Sequence, residues 1–217
     1  MSTKLDLKSV TLFCFDGRNE VPERTSLYQT IFGYMLDSVE FADVKFFSTF
    51  DFKFPGVKVI NTRPVSIGYY SEFCIKRLNQ YIESDYCLIF QDDGFIINPH
   101  LWEKEFLEYD YIGAPWPLYI GWPREGYQVG NGGFSLRSKK FLEASSQLEA
   151  TMSNEDTYIL NQNRDHLNSC GIKIAPVGVA RKFAIEFELD KEHTLSSCFG
   201  FHSKRLLNEA IAYINKK

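Results

Sequence analysis

The 217-residue chain is first defined by what it lacks. No apolar run approaches the roughly 20 residues needed to span a bilayer, and no signal-peptide pattern opens the chain, so a cytoplasmic protein is expected, with room left for work at a membrane surface. There is no long basic run: 24 basic against 28 acidic residues leave a net charge of −4, which argues against a nucleic-acid partner. The five cysteines, Cys14, Cys74, Cys87, Cys170 and Cys198, are odd in number and show no metal-knuckle spacing. Several sit in apolar surroundings, the pattern of buried thiols in a reducing compartment.

What is present is an ordinary globular balance, 44% apolar and 24% charged, with an unusually high 16% of aromatic residues. One large domain spanning residues 1–217 is expected. Most of the rings must be core; some are expected to line a binding surface.

The most informative stretch is Tyr86-Cys-Leu-Ile-Phe-Gln-Asp-Asp-Gly94. Residues 86–90 form a short apolar run of strand formers, and Gln91, Asp92 and Asp93 follow before a glycine that permits a sharp turn. Carboxylates at the carboxyl end of a buried strand stand where an open α/β sheet presents its ligands. Alternation along an extended chain predicts that Gln91 and Asp93 face one way and Asp92 the other. Hard oxygen ligands of this kind suit magnesium or manganese held together with substrate phosphates. An Asp-Asp-Gly turn that merely closes a strand needs no ligand.

In chain order, residues 9–16 read as a strand ending in Asp16-Gly-Arg18-Asn, a turn that either grips a nucleotide or is simply solvated. A helix over 22–37, strands over 43–50 and 57–60, and a helix over 71–84 precede the acidic strand, the order of a doubly wound α/β sheet. A short helix near 101–107 and a strand over 110–114 follow. Residues 115–130 then carry three prolines, three glycines, two tryptophans and two tyrosines, composing a long aromatic loop. Trp116 and Trp122 are read as a wall for a sugar or acceptor, against the alternative of an aromatic patch folded on the core. Asn131-Gly132-Gly133 brings backbone close to something, since paired glycines remove side chains. Helices over 138–150 and 154–170 follow, the second opening on Ser153-Asn-Glu155-Asp156. This is either a capping box with Ser153 as N-cap, or the place from which Glu155 or Asp156 enters a cleft as a catalytic carboxylate. A strand over 172–180 and an amphipathic helix over 204–217 complete the reading. His202 lies between a Gly-Phe turn and that last helix.

The ordered series Gln91-Asp-Asp-Gly94, Asp110-Tyr-Ile-Gly-Ala-Pro-Trp116, Gly130-Asn-Gly-Gly-Phe-Ser-Leu-Arg137, Asn154-Glu-Asp156 and Phe199-Gly-Phe-His202 resembles a family of glycosyltransferase-like proteins within the GT-A superfamily, over residues 9–202. That resemblance implies a single GT-A-like domain, with a Rossmann-like mixed central sheet flanked by helices. It implies Mn2+ or Mg2+ held by Asp93 and His202, a ribose contact from Asp92 and an indirect one from Gln91. Asp16, Arg18, Tyr70 and the Asn131-Gly132-Gly133 backbone would lie near the nucleotide sugar. Asp156 would be the general base of an inverting transfer from a UDP-linked donor to a glycan or other hydroxyl acceptor, in glycan or polysaccharide biosynthesis. Gln91 departs from the commoner Asp-x-Asp pattern. Two rivals remain: a sugar nucleotidyltransferase, disfavoured because Asp16-Gly-Arg18-Asn is a poor substitute for a Gly-rich basic phosphate loop, and a non-catalytic carbohydrate-binding protein.

Overall fold

The computed structural model describes residues 4–121 and 123–216. Its centre is a six-stranded mixed sheet in the order β3-β2-β1-β4-β6-β5, formed by β1 (Leu5–Asp16), β2 (Val39–Ser48), β3 (Lys58–Asn61), β4 (Tyr86–Ile89), β5 (Tyr111–Gly113) and β6 (Ser135–Ser138). β1, β2, β3 and β4 run parallel, while β6 is antiparallel to both of its neighbours. The chain builds outward from β1 to β3, then returns to lay β4 on the other side of β1. At that switch point the chain leaves β1 and β4 toward different neighbours, and a cavity opens beyond their carboxyl ends.

Helix α1 (Pro22–Ser38) starts on a proline whose missing N–H costs nothing in a first turn. In α2 (Ile67–Lys76) the N-cap Ser66 accepts from the Tyr69 N–H at 3.2 Å, and in α3 (Lys139–Ser146) Ser138 accepts from Phe141 at 3.0 Å. Beyond α3 come α4 (Glu155–Thr157), α5 (Arg164–Ser169), α6 (Val177–Phe183) and α7 (Leu207–Ile214), with a small parallel pair, β7 (Ala184–Ile185) and β8 (Gly200–Phe201).

The aromatic excess is mostly core. On one face of the sheet Phe13, Phe15, Phe47 and Phe73 pack with Tyr70 and Tyr81; Tyr28, Phe32, Phe46, Phe52 and Phe90 fill the other. A third cluster, Phe106, Phe134, Phe183 and Phe199, joins β6 to α6. Full burial of a Phe is worth about 1.5–3 kcal/mol, so these clusters dominate the driving force for folding. All five cysteines are unpaired thiols, four of them buried. No helix among the described residues is long and apolar enough to cross a membrane.

Several elements differ from the sequence reading. The helix expected over 154–170 is broken into α4, a π-helical turn (Tyr158–Gln162) and α5, because Asn163 leaves the helical region at φ −112°. The strand expected over 172–180 is a single bridge between Ile174 and Tyr111, after which Pro176 starts α6 instead. The helix near 101–107 is two 3-10 turns, Pro99–Leu101 and Lys104–Glu108. The second expected helix starts earlier and ends in a 3-10 turn, Leu78–Tyr81.

Candidate active site

The parallel pairing of β1 with β4, extended by the Phe90 N–H donating to the Phe13 carbonyl at 3.0 Å, sets Asp16 beside the turn at Gln91–Gly94. Asp16 is 2% exposed, and Arg18 grips it with both edges of its fork: Nε donates to Oδ1 at 2.8 Å and Nη2 to Oδ2 at 2.5 Å. The same Nη2 lies 2.8 Å from Asp92, Arg24 stands 3.8 and 3.9 Å from the two carboxylates, and the Tyr28 hydroxyl donates to Asp16 at 3.1 Å. Two carboxylates thus face two guanidiniums. Burial outweighs the pull of Arg18 on Asp92, whose carboxyl is held above the usual range, with Asp93 and Asp16 adding to the rise. A cavity of about 280 Å³ opens here, walled by Phe15, Val65, Ile67 and Tyr70 on one side and Gln91, Asp92, Asp93 and Lys204 on the other.

Asp93 meets His202 rather than Arg18. β4 ends at Ile89, and Asp92 and Asp93 are the central residues of the turn closed by Gln91 and Gly94, so it is the turn and not strand alternation that separates them. Imidazole Nε2 lies 3.4 Å from Asp93 Oδ1 and 3.1 Å from Gln91 Oε1; the Gln91 amide then donates to the Tyr70 hydroxyl at 3.2 Å. On the other edge Nδ1 lies 2.8 Å from Asn131 Nδ2 and 4.0 Å from Glu186. Asn131 Oδ1 accepts from the Phe134 N–H at 3.1 Å, so its amide NH2 faces the imidazole. Nδ1 is therefore the acceptor, and in the neutral ring the proton sits on Nε2. Burial works against charge on both members of the Asp93–His202 pair, but their mutual attraction wins. Asp93 is held below the usual carboxylate range and His202 above the usual imidazole one.

Glycine identity around the ring follows from contact. A Cβ on Gly133 would stand 2.1 Å from His202 Nε2, and one on Gly94 2.7 Å from its Cδ2. Asn131 itself takes a left-handed conformation at φ 67°, one of the few non-glycine types that does so readily. The residues of the Asn-Gly-Gly motif thus enclose the histidine, bringing it together with Gln91, Asp93 and Tyr70; Asp16, Arg18 and Asp92 form the adjoining ionic cluster.

Three expectations are corrected. Glu155 does not enter the cleft: it is 5% exposed and accepts from Arg137 Nη2 at 2.9 Å, a buried ion pair beneath the glycine loop. Trp116 is not a free wall. It is 1% exposed, its ring fills the space a Cβ on Gly130 would need, and its indole N–H donates to Glu186 at 2.7 Å. No capping box forms at Ser153; Asn154 is the N-cap and makes no side-chain cap bond. Asp156 instead accepts from the Gly132 N–H at 2.9 Å and the Thr157 N–H at 2.6 Å, tying α4 to the glycine loop. Trp122 lies outside the described residues.

The sequence reading missed Arg24, Lys204 and Glu186. Glu186 follows β7 directly, an apolar run ending in an acid like the one at Gln91–Asp93, and that repetition was the available signal. Burial raises its carboxyl above the usual range, against hydrogen bonds from Asn131 and Trp116.

Among the described residues no three His, Cys, Asp or Glu side chains converge as a cage for an ion. The Asp93–His202 pair fits the other mode of magnesium or manganese binding, in which a carboxylate and few further protein donors share the ion with substrate phosphates. Ligation by Nε2 would require its proton to move to Nδ1, where Glu186 rather than the Asn131 amide offers an acceptor.

No curated protein matches the sequence. Among solved structures, the fold is similar to that of a glycosyltransferase involved in glycosylation of the major capsid of PBCV-1. The identity is 10%, the match covers 96% of this chain and 99% of the other, and the TM-score is 0.54. A197 from STIV is more distant, 14% identical over 76% of this chain and 79% of the other at a TM-score of 0.41. Residues 56–202, well over half of the chain and reaching from the strand before α2 to His202, match one family throughout. The chain belongs to the family described as protein of unknown function DUF5672.

Proposed function

We propose that the chain, residues 1–217 acting as one unit, is a glycosyltransferase that moves a sugar from a nucleotide-sugar donor to a hydroxyl acceptor in glycan or polysaccharide biosynthesis. The observation that carries this reading is the meeting of the Asp93–His202 pair and the Asp16–Arg18–Asp92 cluster around one cavity at the β1/β4 switch point. The similarity in fold to the PBCV-1 enzyme is consistent with it. Five unpaired thiols suit a cytoplasmic setting.

In this reading a UDP-linked donor enters the cavity with its base against Phe15, Val65 and Tyr70. Asp92 accepts from the ribose hydroxyls, and Arg18, already charged and half exposed, turns part of its fork toward the diphosphate. Asp93 and His202 hold Mn2+ or Mg2+, which when bound supplies Lewis-acid stabilisation of the leaving diphosphate. Lys204, at the rim, adds positive charge. Before an ion binds, Gln91 fixes the imidazole from the Tyr70 side and Asn131 from the other; with Nε2 on the ion, the Nδ1–H would turn to Glu186.

The acceptor hydroxyl loses its proton to Asp156, and in-line displacement inverts the anomeric centre. A second reading gives that proton to Glu186. What speaks for it is the raised carboxyl of Glu186 beside His202; Asp156 receives backbone N–H groups on both oxygens, while the donors to Glu186 are the Trp116 and Asn131 side chains.

Incubation of the chain with a panel of nucleotide sugars, with and without manganese, is the test. Nucleoside diphosphate release that needs manganese and rises with acceptor supports transfer. Pyrophosphate release from a sugar phosphate and a nucleoside triphosphate would identify a nucleotidyltransferase instead, and no turnover with any donor leaves only carbohydrate binding.

A further inference from the structure

A second cavity, of about 480 Å³, shares no lining residue with the first. Its walls are Tyr127 and Val129 on the returning limb of the aromatic loop, Arg164 and Asn168 one turn apart on α5, and Ile174 and Val177. Two arginines are buried among the described residues. Arg137 has Glu155; Arg164, 8% exposed, has no carboxylate within 4.0 Å. Its guanidinium carbon lies over the Tyr127 ring, 4.7 Å from the centroid, and the group makes one long hydrogen bond, Nη2 to the Gly126 carbonyl at 3.5 Å. The contact with the ring uses none of the N–H groups, so most donors of the fork, suited to bidentate recognition of oxyanions, have no partner among the described residues. A guanidinium this buried with no carboxylate beside it sits in a costly position that a bound anion would relieve. Burial indeed disfavours its charged form.

We propose that this cavity is an oxyanion-binding subsite, separate from the β1/β4 cleft, that receives the carboxylate or phosphate of a small ligand on the edge of Arg164. Tyr127 presents the guanidinium, Asn168 offers an amide from the next turn, and Val129, Ile174 and Val177 accept the apolar part of the ligand. The volume suits a monosaccharide-sized acid or phosphate. The subsite stands whether or not the cleft transfers sugar.

The test uses the full chain and reads thermal stability and calorimetric binding rather than turnover, with inorganic phosphate and glucuronate as separate probes. The wild type is expected to bind at least one saturably, and the probe that binds identifies the source of the oxyanion. Arg164→Met keeps the length of the stem and removes the unpaired charge. It should be at least as stable as the wild type without anion, and bind at least tenfold more weakly, as expected for loss of a charge-assisted pair. Val177→Trp leaves the guanidinium in place and fills the cavity; it should lose binding as well. The proposal is overturned if neither anion binds, if either variant binds like the wild type, or if Arg164→Met melts below the wild type or fails to fold, which would make the guanidinium structural.

Discussion

Neighbouring acids at the start of α4 are predicted to fail in opposite ways. Glu155→Gln keeps the side chain's shape but removes the one carboxylate among the described residues that pairs with Arg137, a guanidinium 0% exposed that also donates to Ser135 at 3.0 Å and to the Gly132 carbonyl at 3.3 Å. Its Nη1 has no hydrogen-bond partner, and the Tyr111 and Phe141 rings, 5.6 and 5.9 Å from the guanidinium carbon, are weak substitutes for a carboxylate. Breaking a buried pair from one side costs about 3–5 kcal/mol. A chain of this size loses about 2–4 °C of Tm per kcal/mol, so Tm should fall by roughly 6–20 °C. Asp156→Asn, by contrast, retains an oxygen that accepts a backbone N–H, and its stability loss should stay near the ~1 kcal/mol of a cap. As general base its replacement should lower turnover by about two to four orders of magnitude. Calorimetric melting and single-turnover transfer measured on both variants separate the roles. The double variant Arg137→Met/Glu155→Met should recover much of the stability lost by Glu155→Gln, because no charge is left stranded. A Glu155→Gln protein that melts like the wild type but does not turn over would refute the assignment of Glu155 to the core.

Further outcomes follow from the same geometry. Gly133→Ala sets a methyl within 2.1 Å of His202 Nε2 and should displace the ring, weakening metal-dependent donor binding at least as much as His202→Ala does; binding assays on both variants check it. If Glu186 is the base, its raised carboxyl must be ionised to act, so the rate should fall with decreasing pH at values above the ordinary carboxylate value of 4.5. Glu186→Gln should then lower turnover and remove that acid limb, whereas an unchanged limb rules Glu186 out as the base. Trp116→Ala should lower Tm by the equivalent of about 3–5 kcal/mol. A change confined to acceptor kinetics would return the indole to the cleft.

What could be read from sequence was local and periodic. Alternation along an extended chain predicts that Asp92 and Asp93 part, and they do, one to Arg18 and the other toward His202, but through the turn at Gln91–Gly94 rather than through a strand. The order of elements up to the acidic turn could be read from the alternation of apolar runs with helical spacing, and β1-α1-β2-β3-α2-β4 matches it. What stayed hidden depends on contacts distant in sequence. Nothing near Trp116 signals that Gly130 and Glu186 will enclose it, and an aromatic ring in a proline-rich loop reads the same whether it covers a ligand or the core. Glu155 and Asp156 are adjacent, so only the packing of α4 decides which turns inward onto Arg137. Arg164 looked like any helix cation until Tyr127 was folded over it.

Calorimetric titration of UDP into the wild type and Asp93→Ala, each with and without manganese, tests the central claim most directly. The account predicts saturable binding to the wild type that strengthens with manganese, and at least tenfold weaker binding to an Asp93→Ala protein of unchanged Tm. Absence of saturable UDP binding to the wild type, or equal metal-dependent affinity in the two proteins, would contradict it.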